Sequence, residues 1–377
     1  MKIIVIGAGL VGRAMALDLA AESRFRVTCV DIDSKKLAAL PEPVQTIQAD
    51  VSKKNTLQQM LKEQDLVVSA VPGWMGFRTL ETIIRAGKNV VDIAFFPEDM
   101  KHLHELARQK QVTAVCDAGV APGMSNLLAA KAAKSLKEVD KILIYVGGLP
   151  KIRREPFEYK APFSPADVVE EYTRPARLIE NYKIISKPPL SEYEKIDFDT
   201  VGTLEAFNTD GLRSLLQAIP CGEMKEKTLR YPGYAEKIQF LKDIGLLSKQ
   251  PILINGQQVK PVEMAEKLLF PLWKLTPDEE EFTVMRVIVE GVTSEGKKRI
   301  TWDLYDTFDV KTGIHSMART TGYTATAIAR LVAEKRFTEK GVFAPEKLVE
   351  SSDWFQFVIS DLQSHNVTYS KREENFG

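Results

Sequence analysis

Along the first 125 or so residues, short apolar runs alternate with segments of helical periodicity. The run "IIVI" at residues 3–6 reads as a strand buried on both faces, and "GRAMALDLAAES", which follows a glycine cluster, has the composition and apolar spacing of a helix. "RVTCVDI" reads as a second strand. The alternation continues through "TLQQMLKEQ" (helix), "DLVVSAVP" (strand), "TLETIIRAG" (helix, stopped by Gly87), "NVVDIAF" (strand), "EDMKHLHELARQKQ" (helix) and "VTAVCDAG" (strand). Such alternation predicts right-handed βαβ crossovers and a parallel sheet, an α/β fold of the Rossmann-type doubly wound class.

Beyond about residue 125 the pattern changes. A helix, "LLAAKAAKSL", and a strand, "KILIYVGGLP", lead into a long polar, proline-rich stretch ending near "SKPPLSEYEK". Two strand-like runs, "FTVMRVIVEGV" and "KRITWDLYDTFD", predict an antiparallel hairpin around "TSEGKK". The organisation expected is a second, mixed α/β domain over residues 122–316. Residues 1–121 and 317–377 form the doubly wound domain, with the helical "SMARTTGYTATAIARLVAEKRF" packing back on it. No internal repeat interrupts this pattern.

Charge and cysteine usage narrow the partners. The 51 basic and 51 acidic residues cancel without a run of five or six like charges, which argues against nucleic acid and anionic membrane and for a small-molecule ligand. Cys29, Cys116 and Cys221 are far apart and lack CxxC spacing, which argues against disulfides and zinc and fits a reducing cytoplasm. The N-terminal segment, with its glycines, Arg13 and Asp18, makes a poor signal peptide, and no stretch reaches the roughly 20 apolar residues of a membrane span.

"GAGLVG" places Gly7, Gly9 and Gly12 in GxGxxG spacing, with Leu10 and Val11 between them, after a strand and at the start of a helix. In a dinucleotide site the first glycine makes the tight turn, the second lets backbone approach a pyrophosphate, and the third allows close helix packing. Asp31 ends the second strand 19 residues after Gly12. A carboxylate there accepts from a ribose hydroxyl and repels a 2′-phosphate, so the cofactor expected is NAD rather than NADP. No arginine follows Asp31 directly to reverse that preference, although Lys35 and Lys36 stand close by in sequence. Asp50 in "QADVS" either faces the adenine or caps the next turn. Ala70, Val71 and Pro72 in "SAVP" form a strand-end loop on the nicotinamide side.

"DAGVAPGMSN", "YVGGLP", "EYTRPAR", "DGLRSLL", "TLRYPG" and "SMARTTGYTA", spread in order over nearly the whole chain, together resemble the saccharopine dehydrogenase-like superfamily, most closely its lysine 6-dehydrogenase branch. The resemblance implies an NAD-binding domain, an inserted mixed-sheet domain, and oxidative deamination of the ε-amino group of L-lysine to 2-aminoadipate 6-semialdehyde, ammonia and NADH. Saccharopine-forming relatives usually carry a Gly-Leu-Asp-Pro-Gly-Ile turn, whereas here Ala121 stands where their aspartate would be. Saccharopine or carboxynorspermidine dehydrogenase activity is the alternative within the superfamily. A non-catalytic NAD sensor is the alternative outside enzymes.

Hydride can leave the ε-carbon only once the ammonium has lost a proton, so a base is needed. Asp92 in "VVDIAF" and Asp117 in "VCDAG", near the ends of parallel strands, are the candidates; either could instead cap a turn or helix. The amino-acid end of such a substrate calls for a guanidinium fork and an acceptor. Arg174, Arg177, Arg213 and Arg230 are the possible forks and Tyr172, Glu205 and Asp210 the possible partners, each competing with an ordinary surface role. His102 and His104 are two apart and share no helix face, His315 reads as a loop or cap residue, and His365 reads as exposed. Without HExxH or clustered cysteines no metal is expected. An antiparallel sheet edge in the inserted domain points to a homo-oligomer.

Overall fold

The computed structural model describes residues 1–376 apart from the side chain of Ala166. The elements run β1 (Lys2–Ile6), α1 (Leu10–Ala20), β2 (Arg26–Asp31), α2 (Ser34–Ala38), β3 (Gln45–Gln48), α3 (Lys54–Leu61), β4 (Leu66–Ser69), α4 (Gly73–Arg85), β5 (Asn89–Asp92), α5 (His104–Gln109), β6 (Thr113–Val115) and α6 (Met124–Ala133). They continue as β7 (Glu138–Pro150), α7 (Pro165–Thr173), β8 (Ala176–Glu180), β9 (Lys183–Lys187), β10 (Glu194–Phe198), β11 (Gly202–Asn208), α8 (Leu215–Ala218), β12 (Glu223–Arg230), α9 (Tyr234–Asp243), β13 (Ile252–Ile254), β14 (Gln257–Val259), α10 (Pro261–Trp273), β15 (Glu281–Thr293) and β16 (Gly296–Thr307). The chain ends with α11 (Ser316–Ala333), β17 (Gly341–Phe343), α12 (Ser352–Ser364) and β18 (Tyr369–Phe376).

Two compact units result, Met1–Lys131 with Met317–Thr368, and Ala132–Ser316 with Tyr369–Gly377. In the first unit seven strands lie in the order β17-β6-β5-β4-β1-β2-β3, every neighbouring pair parallel. The apolar run of β1 sits in the middle of that order, and Ile3 to Ile6 are all fully buried, as a strand covered on both faces requires. β3 is the edge, and its "QTIQ" is exposed throughout. The order β3-β2-β1-β4-β5-β6 reverses between β1 and β4, the switch point outside whose strand ends ligands of such sheets bind. The strand β17, contributed from after α11, extends the sheet beyond β6.

The second unit is built on a nine-stranded sheet whose main path is β10-β11-β12-β7-β15-β16-β18, with β8 beside β12 and β9 beside β8. The hairpin anticipated around "TSEGKK" is β15–β16, paired from Phe282↔Thr307 to Thr293↔Gly296. Two differences from the sequence reading concern the boundaries. The first unit runs to Lys131, because α6 is the continuation of the turn after β6. The C-terminal Tyr369–Phe376 belongs to the second unit, because it pairs with β16 from Leu304↔Tyr369 to Lys297↔Phe376.

Within the first unit α1 is fixed to the two late helices by charge. Arg330 on α11 is buried and reaches Asp18 at 2.9 Å, Glu22 at 2.5 Å and Asp361 of α12 at 3.1 Å. His365, expected to be exposed, is instead partly buried against Asp18 at 2.7 Å and stacked at 4.8 Å from Tyr323. The helical periodicity of α12 was legible, but not that the residue capping its C-terminus would land on α1. Burial opposes the charge on Asp18, yet His365 and Arg330 more than offset it and hold its carboxyl below the usual range. Removing the cation leaves buried acids uncompensated, so Arg330→Leu should lower unfolding stability by about 3–5 kcal/mol in urea titration. Arg85→Leu, which breaks a half-exposed pair with Glu81, should cost less than about 1 kcal/mol in the same assay.

Candidate active site

The glycine loop between β1 and α1 has the shape a dinucleotide needs. Gly7 has φ +104°, and a Cβ there would stand 2.6 Å from the carbonyl oxygen of Ala70. A Cβ on Gly12 would stand 2.0 Å from the carbonyl oxygen of Gly7, so α1 can start this close to β1 only with glycine. At Gly9, by contrast, an added Cβ would meet nothing within 4 Å. The first and third glycines are required by protein backbone, and the second opens on the space at the helix N-terminus where a pyrophosphate would lie. Leu10 is partly exposed on that loop, while Val11 lies against the α11 segment through Gly322, whose added Cβ would be 3.4 Å from the Val11 carbonyl oxygen.

Asp31 ends β2 beside this loop. Its Oδ2 accepts from the Ala8 N–H at 2.7 Å and its Oδ1 from the Asp33 N–H at 2.8 Å. The carboxylate is thus held on both oxygens, with a remaining lone pair on each for a ribose hydroxyl. Asp50 accepts from the Ser52 hydroxyl at 2.5 Å and the Ser52 N–H at 3.1 Å, and the Ser52 hydroxyl above all holds its carboxyl below the usual range. Of the two roles left open for Asp50, this is the geometry of the turn cap. Ala70 packs on Gly7 and Gly12, Val71 is buried, and Pro72 precedes α4 as its N-cap.

Two carboxyls lie at the ends of the neighbouring strands. Asp92 is the last residue of β5, and Asp117 follows β6 by two; both are 1% exposed. Asp117 adopts the left-handed conformation, φ +55°, which few residues other than glycine and Asn or Asp accept. The next residue donates back across the sheet, Ala118 N–H to the Asp92 carbonyl at 3.1 Å, which holds the two acids side by side. The turn that follows is wound tightly: Met124 N–H bonds the Gly119 carbonyl at 2.9 Å, the Ala121–Pro122 bond is cis, and a Cβ on Gly123 would fall 1.8 Å from the Gly119 oxygen. A Cβ on Gly119 would lie 3.1 Å from Thr321 of α11, so the "TTGYTAT" segment backs this turn.

Burial pushes the Asp92 carboxyl up to about 7. The Ala94 N–H, bonded to its Oδ1 at 3.1 Å, works against this, and the neighbouring charge of Asp117 adds to it. Ser69, the β4 residue in register with Asp92, also favours the charged form, but its hydroxyl and the Asp92 Oδ2 are both buried without a hydrogen bond of ordinary geometry. An acid that titrates near 7 at a strand end can take up or release a proton at neutral pH.

In the second unit the arginines divide. Arg230 is 2% exposed and spends its guanidinium on Glu171 at 2.9 Å, Tyr172 at 3.1 Å and the Leu229 carbonyl at 2.9 Å, lying 4.3 Å over the Tyr159 ring. Tyr172 is fully buried and shares a 2.9 Å bond with the Tyr234 hydroxyl. Both belong to an aromatic core with Trp273 rather than to an open face. Arg177 and Asp210 form a two-pronged pair at 2.8 and 2.9 Å. Glu205 accepts from the Gly233 N–H at 2.7 Å and from the Ala235 N–H, which caps α9. Arg174 is 3.9 Å from Glu170; burial lowers its pKa against the opposing charges of Glu170 and Asp210, and the charges of Arg213 and Arg177 act in the same direction as burial. Arg213 is buried with φ +53°. Arg174, Arg177, Arg213 and Asp210 are therefore brought together, while Arg230 and Tyr172 sit in the packed interior.

One residue with no signal in the sequence is Glu226. It lies between Thr209, whose hydroxyl donates at 2.6 Å, and the Gly211 N–H at 3.0 Å, and burial pushes its carboxyl up to about 7. Only the depth of β12 in the sheet makes it unusual, and strand patterning does not give that depth. His315 faces the Thr276 carbonyl at 3.2 Å and the Phe308 ring at 5.2 Å. Among the described residues no group of three or more His, Cys, Asp or Glu is arranged to hold a metal ion, and no helix is long and apolar enough to cross a membrane.

Comparison with known proteins follows the same division of the chain. Residues 3–115 match the family model described as the saccharopine dehydrogenase NADP binding domain, and residues 119–367 the one described as the saccharopine dehydrogenase C-terminal domain. The L-glutamate-forming saccharopine dehydrogenase [NADP(+)] of Pyricularia oryzae is 28% identical over 318 residues, 79% of this chain and 69% of that one. The carboxynorspermidine synthase of Vibrio cholerae is 25% identical over 92% of each chain. The mitochondrial alpha-aminoadipic semialdehyde synthase of Mus musculus is 23% identical over 71% of this chain, which spans only 31% of that longer protein. Among solved structures, apo saccharopine dehydrogenase (L-Glu forming) from Saccharomyces cerevisiae superposes with a TM-score of 0.81 at 19% identity over 99% of each chain. The homospermidine synthase of Legionella pneumophila, solved with NAD, superposes at 0.69 and 14% identity over 100% of this chain and 92% of that one.

The raised carboxyl of Asp92 has a consequence for stability. Its folded value lies above the ordinary 3.8, so the folded state binds more protons than the unfolded state between pH 4 and 7, and stability falls as pH rises through that window. Asp92→Asn removes this loss. Its unfolding free energy should match wild type near pH 4 and exceed it by on the order of 2–4 kcal/mol above pH 7, as denaturant titrations at several pH values would measure.

Proposed function

We propose that this chain, which belongs to the saccharopine dehydrogenase family of NAD(P)-dependent amine oxidoreductases, catalyses the NAD-dependent oxidative deamination of L-lysine at its ε-carbon. The products are 2-aminoadipate 6-semialdehyde and ammonia. The observation that carries the reading is the acid pair at the strand ends: Asp92 is fully buried, titrates near 7, and has another acid, Asp117, as the charged neighbour acting on it most strongly. Two buried acids side by side favour a cation supplied by the ligand, and a primary ammonium meets that demand.

The residues that would hold the cofactor are Gly7, Gly9, Leu10, Val11 and Gly12 at the pyrophosphate, Asp31 at the ribose, and Ala70 to Pro72 at the nicotinamide side. The anchored carboxylate of Asp31 supports NAD over its 2′-phosphorylated form, although the matching family description names NADP and Lys35 and Lys36 stand nearby on α2. When bound, the nicotinamide supplies the acceptor for the hydride leaving the ε-carbon.

The chain's own residues handle the protons. An ionised Asp92 or Asp117 accepts a proton from the ε-ammonium and frees the nitrogen lone pair, without which the C–H bond cannot be broken as hydride. After oxidation, water adds to the ε-carbon of the iminium and gives up its protons to the other carboxylate and to solvent, while the protonated carboxyl returns its proton to nitrogen so that ammonia departs and the carbonyl forms. In the second unit Arg174, Arg177 and Arg213, which stand together, are the candidates for binding a carboxylate.

A second reading has a specific observation behind it. The carboxynorspermidine synthase and saccharopine dehydrogenase relatives are named for substrates in which the amine carries a further fragment, and the former covers nearly the whole chain. Ala121, in place of the aspartate of the saccharopine-type turn, supports the smaller substrate. A panel of L-lysine, saccharopine and carboxynorspermidine assayed with NAD and with NADP separates the readings. Cofactor reduction and stoichiometric ammonia with L-lysine and NAD are expected; reduction with saccharopine or carboxynorspermidine but none with lysine overturns the proposal in favour of the second reading. Asp92→Asn and Asp117→Asn should each lower kcat by at least about 100-fold with NAD affinity by calorimetry unchanged, and normal turnover in both removes the acid pair from the mechanism.

A further inference from the structure

Glu226 of β12 is a buried acid that the proposed reaction does not use, and its partners are all in one loop and one strand. Residues 209–214 link β11 to α8. The Glu226 Oε2 accepts from the Thr209 hydroxyl at 2.6 Å and from the Gly211 N–H at 3.0 Å, and the Glu226 carbonyl accepts from the Thr209 N–H at 3.2 Å. The Thr209 hydroxyl gives its one hydrogen to Glu226, so it accepts from the Thr228 hydroxyl, 2.8 Å away on β12. Gly211 is fitted to this approach: a Cβ there would fall 2.5 Å from the Glu226 Cδ and 2.6 Å from its Oε2. Glu226 is only 6% exposed, so its carboxyl has no open path into water by which to make room.

The loop held in this way sets two of the three clustered arginines. Asp210, between the two residues bonded to Glu226, accepts on Oδ1 from the Arg177 N–H at 3.1 Å and from its Nε at 2.8 Å, and on Oδ2 from its Nη2 at 2.9 Å. Arg213, two residues beyond Gly211, is buried with φ +53°, a left-handed conformation that persists only where the surrounding chain enforces it. We propose that Glu226 is a positioning residue for substrate: it anchors residues 209–213 to the sheet and so fixes where Arg177 and Arg213 stand beside Arg174, a role that rests on the reading of these arginines as the carboxylate-binding group. Both side-chain bonds fall on one oxygen. An amide in the same place offers that oxygen and removes the charge opposed by Glu171 and Asp210, whereas a hydrocarbon of similar size leaves the Gly211 N–H and the Thr209 hydroxyl without their acceptor.

The test compares Glu226→Leu with Glu226→Gln in the full chain with NAD, reading KM and kcat for L-lysine and the inhibition constant of 1,5-diaminopentane, which is lysine without its carboxylate. Glu226→Leu should raise KM for L-lysine at least about 10-fold with kcat within about 3-fold, the mark of lost binding shared by ground and transition states. Its inhibition constant for 1,5-diaminopentane should stay within about 2-fold of wild type, since that ligand never meets the arginines. Glu226→Gln should hold all three values within about 3-fold of wild type, because the acceptor is kept. Gly211→Ala, which pushes the loop off the same carboxyl from the other side, should reproduce the Glu226→Leu pattern and takes its place if that variant does not fold. The proposal is overturned if Glu226→Leu keeps the wild-type KM, if it weakens 1,5-diaminopentane by the same factor as L-lysine, or if Glu226→Gln is as impaired as Glu226→Leu. Wild type that oxidises saccharopine but not L-lysine sinks the reading of the reaction alone: saccharopine also carries α-carboxylates, and the same variants are then scored on its KM. Wild type that oxidises neither overturns both.

Discussion

A carboxyl group taken out of water must either stay neutral or meet a positive charge, and Asp92 places that demand at the carboxyl end of a central parallel strand. Its neighbours on the sheet do not relieve it: Ser69 on β4 offers a hydroxyl, the Ala94 N–H offers one hydrogen bond, and Asp117, two residues after β6, is a second acid. The surrounding fold keeps it there. The glycine-dependent turn at 119–123 fixes Asp117 beside it, and α11 closes behind that turn through Thr321.

The same problem is solved differently elsewhere in the chain. Elsewhere in the first unit Asp18, Asp361 and, in part, Glu22 are also withdrawn from water, but Arg330 and His365 come with them and the network is closed. In the second unit Arg230 is buried with Glu171 inside a ring of tyrosines. These clusters hold helices to one another, and their charges are already matched within the chain. Burial alone marks both kinds of cluster, so it does not by itself separate scaffold from site.

Much of this was legible in the sequence for physical reasons. Fully buried β1 and the βαβ alternation announce a parallel sheet because only strands covered on both faces are apolar throughout, and the roles of Gly7 and Gly12 follow from how closely α1 must start to β1. Asp92 and Asp117 were readable as strand-end acids, because parallel strands bring their carboxyl ends to one edge. Their sharing of one buried position was not, since it depends on the back-bond from Ala118. The arginines show the limit most clearly: "TLRYPG" and "EYTRPAR" look alike as motifs, yet Arg230 packs into an aromatic core and Arg174 does not, and only the depth of β12 in the sheet decides it. His365 and β18 were misplaced for a related reason, as periodicity finds an element but not the partner it packs on.

The acid pair is the centre of the account, and the direct test is the titration of the Asp92 carboxyl itself. Isotope-edited infrared spectra of the ligand-free protein, assigned by difference against Asp92→Asn, would follow its C=O band from pH 4 to 9. The account predicts a midpoint near 7 that moves down when Asp117 is changed to Asn, because removing the neighbouring acid removes one of the causes of the shift. A carboxyl that ionises in the ordinary range near 4, or a midpoint indifferent to Asp117, would contradict it.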